Sequence, residues 1–285
     1  MSSLGSLPAP LPAPPAVPAA PFARIAGPVR AVGRSVLRLA TTTGALVAFI
    51  RDVAVAAKEV GTWRPHVAAQ CRFLGVDSLP IGVGIAIFTG IVLALLASYS
   101  FTNAVPVYFV GTLVEKTLTL ELAPVLTGLA LAGRVGANIA AELGTMRVTE
   151  QVDALETLAY DPLAYLVVPR IIAGVLMFPL VVGVAMITGM AAGWLASLGL
   201  LDMSNDDFVR GLRLFFTAFD IRYGLVKAAS FGIAVTLLGS MAGLATRGGA
   251  QGVGQAATRA VVQGAVAILV LDAFWAVTWL LGRTR

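Results

Sequence analysis

The sequence predicts an all-α integral membrane protein, and two observations on composition and pattern lead to that fold class. Of the 285 residues, 58% are hydrophobic and only 12% are charged, whereas soluble domains have about 45–50% apolar and about 25% charged residues. The charged residues are bunched between uncharged runs that supply the ~20 apolar residues needed for a membrane-crossing helix. No run alternates with the period of two that membrane strands show, so helices are the expected spanning elements.

The N-terminal part is predicted to lie outside the membrane core. Residues 1–22 are rich in Pro and Ala and carry no charge, which is typical of a disordered tail. Residues 23–78 are amphipathic, and Arg30, Arg34 and Arg38 recur at every fourth position. These helices are expected to lie on the membrane surface with basic side chains at lipid phosphates. Packing of solvated helices on a soluble partner is the alternative.

Residues 79–285 are predicted to form a five-span permease domain. The spans are expected near 80–101, 117–141, 171–201, 228–246 and 260–282. The net charge is +5, and eight of the 20 basic residues precede residue 79. This balance favours an anionic membrane face over nucleic acid and puts the N-terminus in the cytoplasm. An odd number of spans then puts the C-terminus outside.

The segment 142–160 joins the second and third predicted spans and is amphipathic. Val152 falls on its apolar face, whereas Glu150 and Glu156 are displaced toward the polar surface. Asp161-Pro162 is expected to end the helix, because the residue before a proline is driven out of the α region. A cytosolic helix of this kind can receive force from a soluble engine, or it can be a simple interfacial loop. Periodicity leaves both interpretations open.

Two sequence blocks carry a family resemblance. The first is GRVGANIAAELGTMRVTEQVDAL at 133–155, followed by Asp-Pro at 161–162 and Val-Pro-Arg at 168–170. The second is RGGAQGVGQAATRAVV at 247–262. Together they resemble the MlaE/YrbE family of permeases. The resemblance implies the membrane subunit of an ABC transporter, with an N-terminal interfacial helix and five spans. Such a transporter would move phospholipid or another hydrophobic lipid between the bacterial inner membrane and an MCE-domain partner.

The resemblance also implies partners. It predicts a cytosolic ABC ATPase, an MCE-domain protein, a second copy of the chain and a lipid substrate, with a small STAS-domain protein as an accessory. The segment 142–160 would be the coupling helix, docked on the ATPase through Glu142, Thr145, Met146, Arg147, Thr149, Glu150, Gln151, Asp153 and Glu156. No GxxxxGK[ST] sequence occurs in the chain, so a Walker loop is excluded. ATP and Mg²⁺ are expected on the ATPase, and no cofactor is expected on this non-catalytic chain.

A lipid cavity is implied around the first two spans. Its expected residues are Leu93, Leu96, Ala97, Leu120, Glu121 and Pro124. Leu120 stands where the family commonly has an arginine, and Leu96 stands where a glutamine is common. These departures predict a mainly apolar cavity with poor selectivity for the lipid headgroup.

Charged residues inside the predicted spans need partners or water. Arg134, Lys227 and Asp272, together with Glu121, lie in or at the edges of spans, where an unpaired charge costs about 2.5–3.5 kcal/mol. They are interpreted as a polar lining or gate, or as ion pairs that fix packing. Two small-residue pairs, Gly189/Gly193 and Gly239/Gly243, favour close helix packing within the chain or across a dimer.

Three rival functions remain at this stage. An ion-coupled lipid carrier would use Asp272 or Glu121 as a relay and would work without an ATPase. A membrane-embedded lipid-modifying enzyme would need clustered carboxylates, or a nucleophile beside a base, which the sequence does not suggest. A scaffold would only anchor an MCE protein.

Overall fold

The structure, a computed structural model, describes residues 37, 40–41, 43–100, 105–201 and 203–283. The predicted tail 1–22 and the basic positions Arg30, Arg34 and Arg38 lie outside the described residues. Within the described ranges every regular element is helical and there is no strand. The helices labelled below all belong to the compact unit Phe49–Arg285.

Ten α-helices are labelled here in chain order. They are α1 (Val60–Leu74), α2 (Leu79–Ser100), α3 (Phe109–Thr117), α4 (Ala123–Leu131), α5 (Ala137–Val148), α6 (Gln151–Thr157), α7 (Val168–Leu200), α8 (Asn205–Leu214), α9 (Ala218–Leu244) and α10 (Gly249–Arg283). A 3-10 turn at Val76–Ser78 follows α1 and leads into α2.

Three wide π-helical turns interrupt the long helices. Leu118–Leu122 joins α3 to α4, Ala132–Gly136 joins α4 to α5, and Leu163–Val167 leads into α7. Such turns are often found at functional sites, because the extra residue rotates the side chains that follow it. The first contains Glu121 and the second contains Arg134.

Five helical runs in the described part of the chain are long and apolar enough to cross a membrane. Spans one to five are Val60–Ser100, Phe109–Val148, Leu163–Leu200, Ala218–Leu244 and Gly249–Thr278. They confirm the predicted all-α membrane protein with five spans.

All five helical runs begin before the predicted starts of the spans. They begin at 60, 109, 163, 218 and 249, whereas the predicted spans begin near 80, 117, 171, 228 and 260. The predicted spans two, three and four begin directly after the charged residues Lys116, Arg170 and Lys227. The structure keeps these three side chains inside the spans because each forms an ion pair with a carboxylate, which removes much of the cost of an isolated charge in an apolar medium.

Spans three and four form the centre of the bundle. Helix α7 packs against α1, α2 and α9, and α9 also packs against α5 and α10. Span five lies at the periphery, and its outer side chains are exposed: Val262, Val266, Leu269, Val270 and Phe274. Such an apolar surface suits contact with lipid tails or with another apolar surface.

Both small-residue pairs pack within the chain. A Cβ atom on Gly189 would lie 3.0 Å from the carbonyl oxygen of Ala86, and one on Gly193 would lie 3.0 Å from that of Gly90. The Gly239/Gly243 pair faces α5 and its preceding π turn in the same way. The absence of side chains therefore lets α7 approach α2, and α9 approach α5.

Candidate functional site

Lys227, on α9, is the centre of a charged cluster inside the membrane. Its side chain is fully buried, and its Nζ lies 2.7 Å from Oε2 of Glu121 on span two. Lys227 also donates a hydrogen bond to the carbonyl oxygen of Leu120 at 3.2 Å and forms an ion pair with Asp272 on α10. We call Lys227, Glu121 and Asp272 the Lys227 cluster. It ties spans two, four and five together at one point.

Aromatic side chains surround this cluster. Nζ of Lys227 lies 5.7 Å from the ring centroid of Tyr223, within the range of a cation–π contact. Trp275 packs edge-on against Tyr223, with ring centroids 5.9 Å apart, and donates its indole N–H to Oγ of Ser230 at 3.0 Å. These contacts hold α10 against α9 and fix the orientation of the cluster.

Glu121 is the most accessible member of the Lys227 cluster. Its side chain is 43% exposed, whereas that of Asp272 is 23% exposed and that of Lys227 is 0% exposed. Because Glu121 lies in the π turn Leu118–Leu122, the local widening of the helix sets its direction. Glu121 is therefore the carboxylate best placed to meet a polar group that enters from outside the bundle.

Arg134 does not belong to the Lys227 cluster. It donates a hydrogen bond to Oγ of Ser78, and its guanidinium carbon lies 5.8 Å from the ring centroid of Phe73. The structure thus brings together three of the four predicted intramembrane charges. Arg134 instead fastens span two to the junction of α1 and α2.

The predicted lipid-cavity residues divide into two groups. Leu93 and Leu96 line an apolar groove of about 300 Å³ together with Phe88, Val92 and Leu122. Leu96 is 56% exposed, and Leu120 and Glu121 are half-buried. Ala97 and Pro124 are instead buried in helix packing. A single chain therefore offers an open groove rather than an enclosed cavity.

The predicted helix 142–160 is two helices, which corrects the single helix expected from periodicity. Helix α5 ends at Val148, and α6 begins at Gln151. Between them the Thr149 hydroxyl donates to the carbonyl oxygen of Thr145 at 2.8 Å, and Glu150 adopts a left-handed backbone with φ 62°. A side-chain bond of this kind competes with the helical pattern, and the left-handed residue turns the chain.

Helix α6 has a buried apolar side and an exposed polar side. Val152 is buried and packs into the core of the bundle, and Met146 is half-buried against the same core. The remaining predicted coupling residues of this region are largely exposed: Thr145, Thr149, Glu150, Gln151, Asp153 and Glu156. An ion pair between Arg147 and Asp153 spans the break between the two helices.

A second ion pair connects spans two and three next to this surface. Arg170 at the start of α7 is almost completely buried and lies 2.9 Å from Oε1 of Glu142, whose side chain is 50% exposed. Arg170 also donates to the carbonyl oxygen of Leu166. The ion pair therefore joins α5 near Glu142 to the start of span three.

The connection between spans four and five lies at the same end of the bundle as α6. It shares with the α5–α6 junction a polar cavity of about 530 Å³ that is lined by Arg147, Glu150, Asp153 and Arg247. Gly248 and Gly249 have φ values of 87° and 69°, a region that glycine adopts without steric cost. This Gly-rich block carried part of the family resemblance, but the sequence did not predict that it lines a cavity beside α6.

A further group of charges was also missed. Asp220 falls between the third and fourth predicted spans, but it is buried at the start of α9 and pairs with Lys116 of α3. The signal was Thr217, three residues earlier, which forms a capping box with Asp220 and so places Asp220 in the first turn of a helix.

The family assignment follows from sequence comparison over the same spans. A model of the family described as Permease MlaE matches residues 67–278. The chain belongs to the MlaE permease family. The match includes all five spans in whole or large part, the Lys227 cluster and α6.

Individual relatives share long stretches with this MlaE-family chain. It is 38% identical over 239 residues to a probable ABC transporter permease protein of Rickettsia felis, which covers 84% of this chain and 92% of the relative. It is 30% identical over 245 residues to the intermembrane phospholipid transport system permease protein MlaE of Haemophilus influenzae, with coverage of 86% and 94%. Against protein TRIGALACTOSYLDIACYLGLYCEROL 1, chloroplastic, of Arabidopsis thaliana, identity is 33% over 210 residues, with coverage of 74% and 60%.

Proposed function

We propose that this chain is the permease subunit of an ATP-driven transporter that moves phospholipid or another hydrophobic lipid between the bacterial inner membrane and an MCE-domain partner. The observation that carries the proposal is the family match over residues 67–278. The Haemophilus influenzae relative, named for intermembrane phospholipid transport, aligns over 86% of this chain. The chain itself is non-catalytic in this account.

The exposed face of α6 supports docking to a cytosolic ABC ATPase. Val152 anchors α6 in the bundle, while the exposed side chains of Glu150 and Glu156 are available to a partner. The Glu142–Arg170 ion pair connects this end of span two to span three. Force applied at α6 is thereby transmitted to two spans. ATP and Mg²⁺ bind on the ATPase, and a small STAS-domain protein is an accessory.

The apolar groove on span one supports a lipid site shared by two copies of the chain. Leu93, Leu96 and Leu122 line an open groove, so a second surface is needed to enclose acyl chains. A two-fold pair is the commonest closed assembly and supplies that surface. Half-exposed Glu121, next in the chain to Leu122, would face the polar part of the lipid.

One observation favours a second candidate, an ion-coupled lipid carrier. The Lys227 cluster contains two carboxylates and one ammonium within the membrane, and intramembrane carboxylates serve as relays in ion-coupled carriers. Such a carrier would need no ATPase, so the two candidates differ in a measurable requirement.

Composition of the intact complex tests the proposal. The chain should be purified with its bound partners from its own membrane and analysed by native mass spectrometry and lipid extraction. We expect two copies of the permease, an ATPase and bound lipid. A stable complex with one permease copy and no ATPase would overturn the assignment.

A further inference from the structure

A second buried charged cluster lies where spans two and four begin, at the opposite end of the bundle from α6. It consists of Glu115 and Lys116 on α3 and Asp220 on α9. The side chains of Glu115 and Asp220 are 1% and 0% exposed, and that of Lys116 is 24% exposed. Two carboxylates here share one ammonium.

The two carboxylates have very different surroundings. Asp220 pairs with Lys116 and accepts hydrogen bonds from the backbone N–H of Thr217 at 3.1 Å and from its hydroxyl at 2.7 Å. Neither carboxyl oxygen of Glu115 has a hydrogen-bond partner among the described residues. The nearest cation, Nζ of Lys116, is 3.7 Å away, beyond normal hydrogen-bond range.

Among the described residues, Lys116 is the one cation within ion-pair distance of Glu115. Helix α2 contains no charged residue. On α8, Arg210 lies over the ring of Tyr108 at 5.0 Å, and Asp207 is bonded to the Ser204 side chain. Arg170, the charged residue of α7, is paired with Glu142. Lys116 is therefore the cation that both buried carboxylates must share.

We propose that Glu115, Lys116 and Asp220 form a proton-binding site in which Glu115 holds one proton at neutral pH. With Glu115 protonated, the ammonium of Lys116 and the carboxylate of Asp220 balance, and the cluster is neutral. An ionised Glu115 would leave a buried charge with no hydrogen bond, which is much costlier than a buried neutral acid. The proton leaves only when water reaches the carboxyl group.

Infrared spectroscopy of the full chain in lipid nanodiscs tests this proposal and does not depend on lipid transport. A protonated carboxyl group has a C=O stretching band distinct from that of a carboxylate. We expect this band at neutral pH in the unmodified chain, with a loss of one carboxyl equivalent in Glu115→Gln. Exposed Glu59 provides the matched control, because Glu59→Gln should leave the band unchanged. A band of equal intensity in Glu115→Gln, or no band in the unmodified chain, would overturn the proposal.

A second variant keeps the test decisive if Glu115→Gln does not fold. In Glu121→Gln, every glutamate other than Glu115 is exposed. The protonated-carboxyl band of that variant should then come from Glu115. It should shift when the glutamate carboxyl carbon is labelled with ¹³C. A band that is absent, or that does not shift with the label, would contradict a protonated Glu115.

Discussion

Lys227 and Glu121 lie 106 positions apart in the sequence, yet their side chains meet at 2.7 Å inside the membrane. Asp272, on a third span, pairs with the same ammonium group. The cluster therefore holds spans two, four and five at a fixed point, with Lys227 fully buried and Glu121 partly exposed. Because two carboxylates pair with one cation, loss of one carboxylate should lower the stability of the protein less than loss of both.

We predict strongly non-additive effects within the Lys227 cluster. Glu121→Gln and Asp272→Asn should each lower the free energy of unfolding by about 1 kcal/mol, because one carboxylate still faces Lys227. The double variant leaves a buried ammonium without a counter-charge and should lose about 3–5 kcal/mol. Thermal unfolding of the purified chain in detergent measures the stability of each variant. A double-mutant cycle then compares the loss in the double variant with the sum of the two single losses.

Removal of the ammonium provides the control for this cycle. Adding Lys227→Met to the double variant should restore most of the lost stability, since no buried charge is left. Additive single-variant effects, or no recovery in the triple variant, would mean that the ion pairs do not act as one unit.

The presence and number of the spans followed from the sequence, but their boundaries did not. Runs of apolar residues identify segments that prefer lipid to water. A charged residue ends such a run unless it has a partner, and the sequence cannot show that Lys227 meets Glu121 or that Lys116 meets Asp220. The π turns were also missed, because widening of a helix at Glu121 depends on how neighbouring spans pack.

The sequence predicted which charged residues belong to the candidate site but not which of them contact one another. The sequence indicated Lys227, Asp272, Glu121 and Arg134 as charges that need partners. Which of them meet depends on tertiary packing, and Arg134 bonds to Ser78 instead. The break at Glu150 was not visible in the apolar periodicity, because Val152 stays on the inner face of both the predicted helix and the observed one.

Close packing of spans one and three predicts a sharp difference between two glycines of α2. A Cβ on Gly90 would overlap the backbone of Gly189, whereas one on Gly84 meets nothing within 4 Å. Gly90→Leu should cost at least about 1–3 kcal/mol through overpacking and lower the yield of folded protein. Fluorescence-detected size exclusion compares it with Gly84→Leu, which should match the unmodified chain. Equal behaviour of the two variants would contradict the packing of α2 on α7.

Contact between α6 and an ATPase can be tested by crosslinking. Cysteines at Glu150 or Glu156, both exposed, should crosslink to the ATPase in the assembled complex, because these positions face away from the bundle. Val152→Cys is the matched control, since Val152 is 3% exposed and should not react. Labelling of positions 150 and 156 only from the outer face of intact cells would place α6 on the wrong side of the membrane.

The apolar groove predicts poor headgroup selectivity. Leu96 is 56% exposed in the groove, so Leu96→Gln should change which phospholipid classes copurify with the protein and raise its selectivity. Leu120→Arg, which places a cation beside Glu121, should do the same. Leu195→Gln is a matched control, because Leu195 is 61% exposed but lies in a different apolar groove, between α2 and α7. Mass spectrometry of extracted lipid reads out each variant.

An opposite outcome of the lipid experiment is equally specific. In that outcome, the unmodified protein retains one headgroup class sharply and loses it in Glu121→Gln. The Lys227 cluster, rather than the apolar groove, would then determine lipid selection.

ATP-dependent lipid transfer in a reconstituted system tests the central claim most directly. The permease, its ATPase and its MCE-domain partner should be placed in proteoliposomes that contain fluorescent phospholipid, and transfer to or from the MCE protein should be followed over time. We predict transfer that requires ATP hydrolysis and stops when the ATPase carries a mutation that blocks hydrolysis. Transfer at the same rate without the ATPase, driven by an ion gradient alone, would contradict the account.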